Sequence, residues 1–409
     1  MKKSALKQYA ALIARVGGGI KKGQKVIIQA ELDQPEFVHM VAEECYRAGA
    51  DEVSVDWSYQ PLAKTQYRYG KLKNLCTVKK WQEEKIRWRA DNLPVMIYLV
   101  SEDPDALKGI NQEKLAKSQM ARFKVLKPYI DMMDNKYQWC IAAVPGAAWA
   151  KKVFPGLRTS QAIEKLWEAI LSASRAEGDA VANWEAHNKD LEARCRYLND
   201  LGIETLEYKA SNGTDLRVGL IENGLFLGGG ETSLQGIFYN PNIPSEECFT
   251  SPMKGKADGI VYATKPLSYR GQLIENFSVR FEDGKAVEVH AEKGEELLKS
   301  MISMDEGAAY LGECALIPYD SPINNSGLLF YNTLFDENAS CHLALGRGFT
   351  NCIKDYDKYT QEQLHEMGIN DSMNHEDFMI GTKDLTVTAI LKGGKRVPIF
   401  KNGNWAFEV

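Results

Sequence analysis

An α/β N-terminal domain with a mostly parallel sheet, followed by a β-rich α+β C-terminal domain that carries the functional residues, is the fold the sequence predicts. Three observations point to it. Strand-like apolar runs alternate with helically spaced segments through the first half. From about residue 204 hairpin signals follow one another instead. The length, 409 residues, exceeds one ordinary domain. The expected division is residues 1–190 and 191–409, with the boundary in the stretch 186–205.

Each element has a local reason. Residues 4–16 have helical spacing, and Gly17-Gly18-Gly19 stops them. Gln24–Gln29 reads as a buried strand, Pro35–Ala48 as a helix stopped by Gly49, and Glu52–Val55 as the next strand, which together make a β-α-β unit. Val95–Val100 reads as a further strand, Ala106–Leu126 as a helix and Trp139–Val144 as a strand. Residues 160–203 read as helical with a polar face. Asn212-Gly213, Asp283-Gly284 and Asn402-Gly403 are two-residue hairpin signals, clearest within Glu275–Glu288.

Composition excludes several classes. Apolar residues make up 44% and charged residues 26%, and the formal net charge is −5. A nucleic-acid binder would carry a basic field, and a membrane-surface protein a polybasic patch; neither is present. The N-terminal residues, with Leu6, Tyr9, Leu12, Ile13 and Val16 at helical spacing, lack the unbroken apolar stretch of a secretory signal. No run of about 18 apolar residues marks a membrane span. The expected location is the cytoplasm. None of the eight cysteines forms Cys-x-x-Cys, so buried reduced thiols are expected.

Four islands in the C-terminal half carry the chemistry: Pro244-Ser245-Glu246-Glu247, Gly312-Glu313-Cys314, Ser340-Cys341-His342 and His375-Glu376-Asp377. Each sets an acid or an imidazole in apolar or turn-forming sequence. On a strand, His375 and Asp377 share a face and Glu376 points away. Taken alone, each island has an ordinary reading: an ion pair for Glu313, a solvated loop for Glu246-Glu247, a satisfied core histidine for His342. Taken together, Glu247, Glu313 and Asp377 bring three negative charges with no Arg or Lys in the islands. Two divalent cations and one hydroxide would neutralise them, which a dry pocket tolerates better than bare carboxylates. Such a pair of ions, about 3.5–4 Å apart, activates water and polarises a carbonyl. Zn, Co and Mn all suit the mixed oxygen and nitrogen set. His39, His187, His290 and His365 read as structural or surface residues.

Asn240–Pro252, Ala309–Pro318, Phe330–Leu345 and Asn374–Gly381 resemble motifs of the aminopeptidase T and aminopeptidase S (PepS) metallopeptidases. The likeness extends to Trp149–Pro155 and to Arg396-Val397-Pro398 with Asn402-Gly403. It implies a two-metal exopeptidase that removes N-terminal residues from short peptides. It implies Glu247, Glu313, His342, His375 and Asp377 as ligands, Glu313 as the bridging carboxylate, and a homodimer enclosing a cavity. One position departs: the family usually carries tyrosine seven residues after the His of Ser340-Cys341-His342, where this chain has Phe349. Arg347 is the expected substitute donor to a developing oxyanion, and Glu246 the expected proton carrier.

Other classes stay open at this point. They are a different metallohydrolase, such as an amidase or phosphoesterase, and a non-catalytic metal- or peptide-binding homologue. A dinucleotide fold fails because Gly17-Gly18-Gly19 precedes a strand instead of following one. A serine hydrolase would need a Gly-x-Ser-x-Gly elbow.

Overall fold

The computed structural model describes residues Met1–Val409. Two compact units emerge: Met1–Glu185 with Gly230–Pro244, and Ala186–Gly229 with Ser245–Val409. No helix is long and apolar enough to cross a membrane.

The first unit is an α/β layer structure. Its sheet runs in the order Glu52–Ser58, Lys25–Glu31, Val95–Val100, Trp139–Ala143, Asn242–Ile243, and every pairing is parallel. Val95–Val100 is central and mostly buried, which is why its sequence is apolar without alternation. The helix Pro35–Ala48 begins with proline at its first turn, where the missing N–H has no helical partner in any case. It ends where Gly49 turns left-handed at φ +112°.

Two stretches differ from the sequence expectation. The helix expected from Ala106 starts at Gln112 and runs to Met133. Asp103 ties the preceding turn by accepting the Asp105 N–H at 2.9 Å, and Asn111 caps the helix by accepting the Lys114 N–H at 2.8 Å. Gln60–Tyr69, Leu72–Cys76 and Lys80–Asn92 form helices that the sequence did not mark. None of the three buries a residue, so they offer no apolar stripe to read.

The second unit is antiparallel. A nine-stranded sheet carries the hairpins. At Asp283-Gly284 and Asn402-Gly403 both turn residues are left-handed (φ 48° and 79°; 53° and 74°), as a two-residue hairpin with right-twisted strands requires. A four-stranded sheet joins Cys248–Thr250, Leu311–Leu316, His342–Gly346 and His375–Met379 in that order, again antiparallel. One of its faces sends Cys314, Leu316, Leu343, Leu345 and Phe378 into a large apolar core with Phe277, Phe281 and Phe400. Cys248 and Cys341 join that core. All three thiols beside the islands thus pack as small apolar groups, and burial pushes the Cys341 thiol up to about 12.

Candidate metal centre

The four-stranded sheet assembles the site by register. Glu313, Ala344 and Asp377 are cross-strand neighbours in one row. His342 lies in the next row, opposite Ala315 and Met379, and His375 lies on the other side, opposite Gly346. Because side chains alternate faces, these residues stand on the side that Cys314, Leu343 and Phe378 do not use. Glu247 enters from the segment preceding Cys248–Thr250, two residues before Phe249, which pairs with Ala315.

Small residues make the depression. Ala344 lies between Glu313 and Asp377 with only a methyl group. Gly346 sits at φ +113°, and a Cβ there would lie 2.0 Å from the Asn374 carbonyl. A Cβ on Gly312 would lie 2.2 Å from the Arg347 carbonyl, so that glycine permits the close strand approach.

Main-chain carbonyls set both imidazoles. His342 Nδ1–H donates to the Glu337 carbonyl at 2.9 Å, and His375 Nδ1–H donates to the Arg347 carbonyl at 2.7 Å. Each Nε2 therefore faces the carboxylates. His342 Nε2 is 3.5 Å from Glu247 Oε2, 3.7 Å from Asp377 Oδ1 and 3.8 Å from Glu313 Oε1. His375 Nε2 is 3.2 Å from Glu313 Oε2 and 3.4 Å from Asp377 Oδ1. His342 Nε2 and Asp377 Oδ1 are buried without a hydrogen-bond partner. With Nδ1 holding the ring proton, a neutral imidazole presents a lone pair toward oxygens that are themselves acceptors. A cation between them resolves that conflict, and the set of three carboxylates and two imidazoles suits a divalent one. Two triads have donor atoms within 4.8 Å of one another: Glu247, Glu313 and His342; and Glu313, His375 and Asp377. Glu313 is common to both.

Without metal, protons take the cation's place. Burial pushes Glu247 up to about 8, with repulsion from Glu313 adding to it. Burial disfavours the charged form of His342, yet the neighbouring Glu313, with Asp377 and Glu247 behind, raises it to about 9. His375 is likewise raised well above its ordinary value, against burial, by Asp377 and Glu313. Burial opposes ionisation of Asp377, but His375 and then His342 hold it low.

The sequence reading missed a further acid. Glu337 lies beside Asp377, and burial together with Asp377, Glu247 and Glu313 pushes it well above its ordinary value. It sits on the single 3-10 turn Glu337–Ala339, five residues before His342. The signal available was an acid pair, Asp336-Glu337, inside the segment Phe330–Leu345 and just before the island Ser340-Cys341-His342.

The remaining predicted residues lie beside the cluster. Glu246 is buried, its N–H donates to Asn338 Oδ1 at 2.7 Å, and its Oε2 is 4.0 Å from His187 Nε2. His187 also donates to the Ser245 carbonyl at 2.7 Å, so it braces the first island. Arg347 contributes its carbonyl to His375. The Phe349 ring lies 5.0 Å from the His375 ring and 5.3 Å from Phe249. It packs against the site without a hydroxyl.

Comparison with known proteins agrees with this chemistry. The family described as thermophilic metalloprotease (M29) matches residues 2–405. Aminopeptidase AmpS of Bacillus subtilis is 42% identical over 404 residues, covering 98% of each chain. Aminopeptidase T of Thermus thermophilus is 38% identical over 405 residues, again covering 98% of each. The solved structure of wild-type AmpT from Thermus thermophilus superposes with a TM-score of 0.90 at 37% identity, over 99% of this chain and 100% of that one. The chain belongs to the M29 family of metalloproteases.

Proposed function

We propose that the protein is a metal-dependent aminopeptidase that releases N-terminal amino acids from short peptides. The observation that carries this reading is the pair of carbonyl-anchored imidazoles whose Nε2 atoms face three buried carboxylates. Glu247, Glu313 and His342 would hold one divalent ion, and Glu313, His375 and Asp377 a second, with Glu313 shared and Glu337 an additional donor beside Asp377. Zn, Co and Mn are the proposed identities. Bound there, such ions supply a Lewis acid and lower the pKa of water.

The protein's own groups do the rest. The Arg347 and Glu337 carbonyls orient the imidazoles, an outer arrangement that raises their basicity. Arg347 is the proposed donor to the oxyanion of the tetrahedral intermediate, the role the family's tyrosine would fill at Phe349. Glu246, adjoining Glu247, is the proposed carrier of a proton to the leaving amine, with His187 at its side. A homodimer and a cytoplasmic location complete the proposal.

The test is a purified preparation analysed for metal, then incubated with a defined peptide before and after chelation. Stepwise loss of single N-terminal residues in the mass spectrum, abolished by chelator and restored by divalent metal, is expected. Internal cleavage, or cleavage indifferent to chelation, would refute the reading.

A further inference from the structure

Four of the five proposed ligands sit on strands, where register places them: Glu313 on Leu311–Leu316, His342 on His342–Gly346, and His375 and Asp377 on His375–Met379. Glu247 does not. The strand Cys248–Thr250 ends one residue short of it, and Pro244, Ser245 and Glu246 before it lie in irregular chain. A donor on irregular chain needs another constraint if it is to meet donors fixed by a sheet.

We propose that Asn338 is that constraint: a positioning residue whose buried amide fixes Glu247 against His342. It then governs cation affinity at the triad Glu247, Glu313 and His342, and not at the triad Glu313, His375 and Asp377. The proposal rests on the two-ion reading above.

The bonds of this amide carry the argument. Asn338 is 0% exposed. Its Oδ1 accepts the Glu246 N–H at 2.7 Å. Its Nδ2 donates to the Leu334 carbonyl at 2.9 Å and lies 3.4 Å from Glu337 Oε1. A main-chain N–H can only donate and a carbonyl can only accept, so the two partners fix which way the amide points. The amide thus pins the main chain next to Glu247 to the 3-10 turn Glu337–Ala339. That same turn supplies the Glu337 carbonyl that holds His342 Nδ1 at 2.9 Å. Two donors of one triad therefore hang from one turn, and His342 Nε2 and Glu247 Oε2 face each other at 3.5 Å.

None of the three donors of the other triad hangs from this turn. Glu313 and Asp377 flank Ala344 in one row of the sheet, and His375 is anchored by the Arg347 carbonyl. Removing the Asn338 amide deprives the buried Glu246 of its acceptor, a loss the segment relieves by shifting, and Glu247 shifts with it. The strands keep the second triad in place.

The experiment titrates chelated parent and variants with Co(II), following visible absorption and bound metal. The parent is expected to take two equivalents. In Asn338→Ala one equivalent is expected to weaken by about 10- to 100-fold, the scale for residues that orient metal ligands, while the other stays within about twofold. Cleavage of an aminoacyl p-nitroanilide should then be lost at low metal and restored by excess, which general damage to the fold would not allow. Asn338→Asp keeps an acceptor for the Glu246 N–H and is expected to recover most of the affinity. Ser321→Ala removes a 2.7 Å hydrogen bond to the Ala339 carbonyl of the same turn without touching the Glu247 segment, and both equivalents should bind as in the parent. If Asn338→Ala does not fold, Asn338→Ser, whose hydroxyl is too short to reach that N–H, takes its place with the same expectation. Two equivalents weakened alike, neither weakened, an Asp variant no better than Ala, or a selective loss reproduced by Ser321→Ala would each overturn the clamp. A parent that binds two equivalents yet cleaves nothing overturns the aminopeptidase reading alone. A parent that binds fewer than two overturns the two-ion assignment, and the clamp's selectivity with it.

Discussion

Both units bury carboxylates, and the cluster in the second is treated differently from the buried acids of the first. In the first unit, Glu44 is buried against Arg15 at 3.0 Å and against Arg47, and Glu31 accepts from Ser58 Oγ at 2.7 Å and from the Gln60 N–H at 3.1 Å. Those acids are complete within the chain. In the second unit, Glu247, Glu313 and Asp377 converge on one another, and the positive partners within reach are imidazoles anchored by their far nitrogens. The contrast teaches how to tell a structural acid from a ligand: the test is whether the protein itself supplies a counter-charge, as for Glu44, or hydrogen-bond donors, as for Glu31. Like-charged carboxylates held together in a dry site are unfavourable unless something from outside joins them.

Substitutions can break that contrast, and the largest effect belongs to Glu313. Glu313→Gln removes the donor common to both triads. Metal content should collapse and kcat/KM fall by roughly 10³-fold, since several kcal/mol of charge stabilisation go with the ions. Glu44→Gln, the matching change in the first unit, should leave metal content and turnover intact and lower the melting temperature by a few degrees. Equal effects from the two variants would erase the distinction.

Arg347→Ala is expected to come next. Its main-chain carbonyl survives, so His375 stays anchored and metal content holds, while kcat should fall about 10²-fold if the guanidinium serves the oxyanion. Unchanged kcat would remove Arg347 from the mechanism. Ala344→Leu probes the depression itself. A branched side chain between Glu313 and Asp377 should weaken metal binding by about tenfold or more, measured by competition with a chromogenic chelator. The smallest effect is expected from Phe349→Tyr, which adds a hydroxyl near His375. A several-fold gain in kcat with unchanged metal affinity would mark the departure at this position as a functional loss.

Acid–base behaviour sharpens the same comparison. In metal-free protein, His342 is raised to about 9 and Glu247 to about 8. Groups raised by folding stabilise the folded state while protonated. His342's contribution is present below its unfolded value, near 6.5, and that of Glu247 below about 4.5; each disappears as pH rises through the folded value. Chelated protein should therefore lose stability between about pH 4.5 and 9, through Glu247 up to about 8 and through His342 from about 6.5 to 9, and saturating metal should abolish that slope.

Much of the site was legible because strand alternation is simple. His375 and Asp377 share a face by spacing alone, and acids without nearby Arg or Lys stand out in apolar sequence. The hairpins at Asp283-Gly284 and Asn402-Gly403 were legible because left-handed turns restrict residue choice. Glu337 was not, because a single 3-10 turn leaves no periodic trace. The Arg347 and Glu337 carbonyls were not, because main-chain acceptors carry no sequence signature. The helices Gln60–Tyr69, Leu72–Cys76 and Lys80–Asn92 were hidden by the lack of any buried face.

The most direct test is a calorimetric titration of chelated protein with Zn or Mn near pH 7, repeated in buffers of different ionisation enthalpy. Cations that replace protons at the imidazoles and carboxylates should bind with release of at least about one proton, and more tightly at pH 8 than at pH 6. Absence of binding, or binding that releases no proton and ignores pH, would contradict the assignment of Glu247, Glu313, His342, His375 and Asp377 as a cation cage.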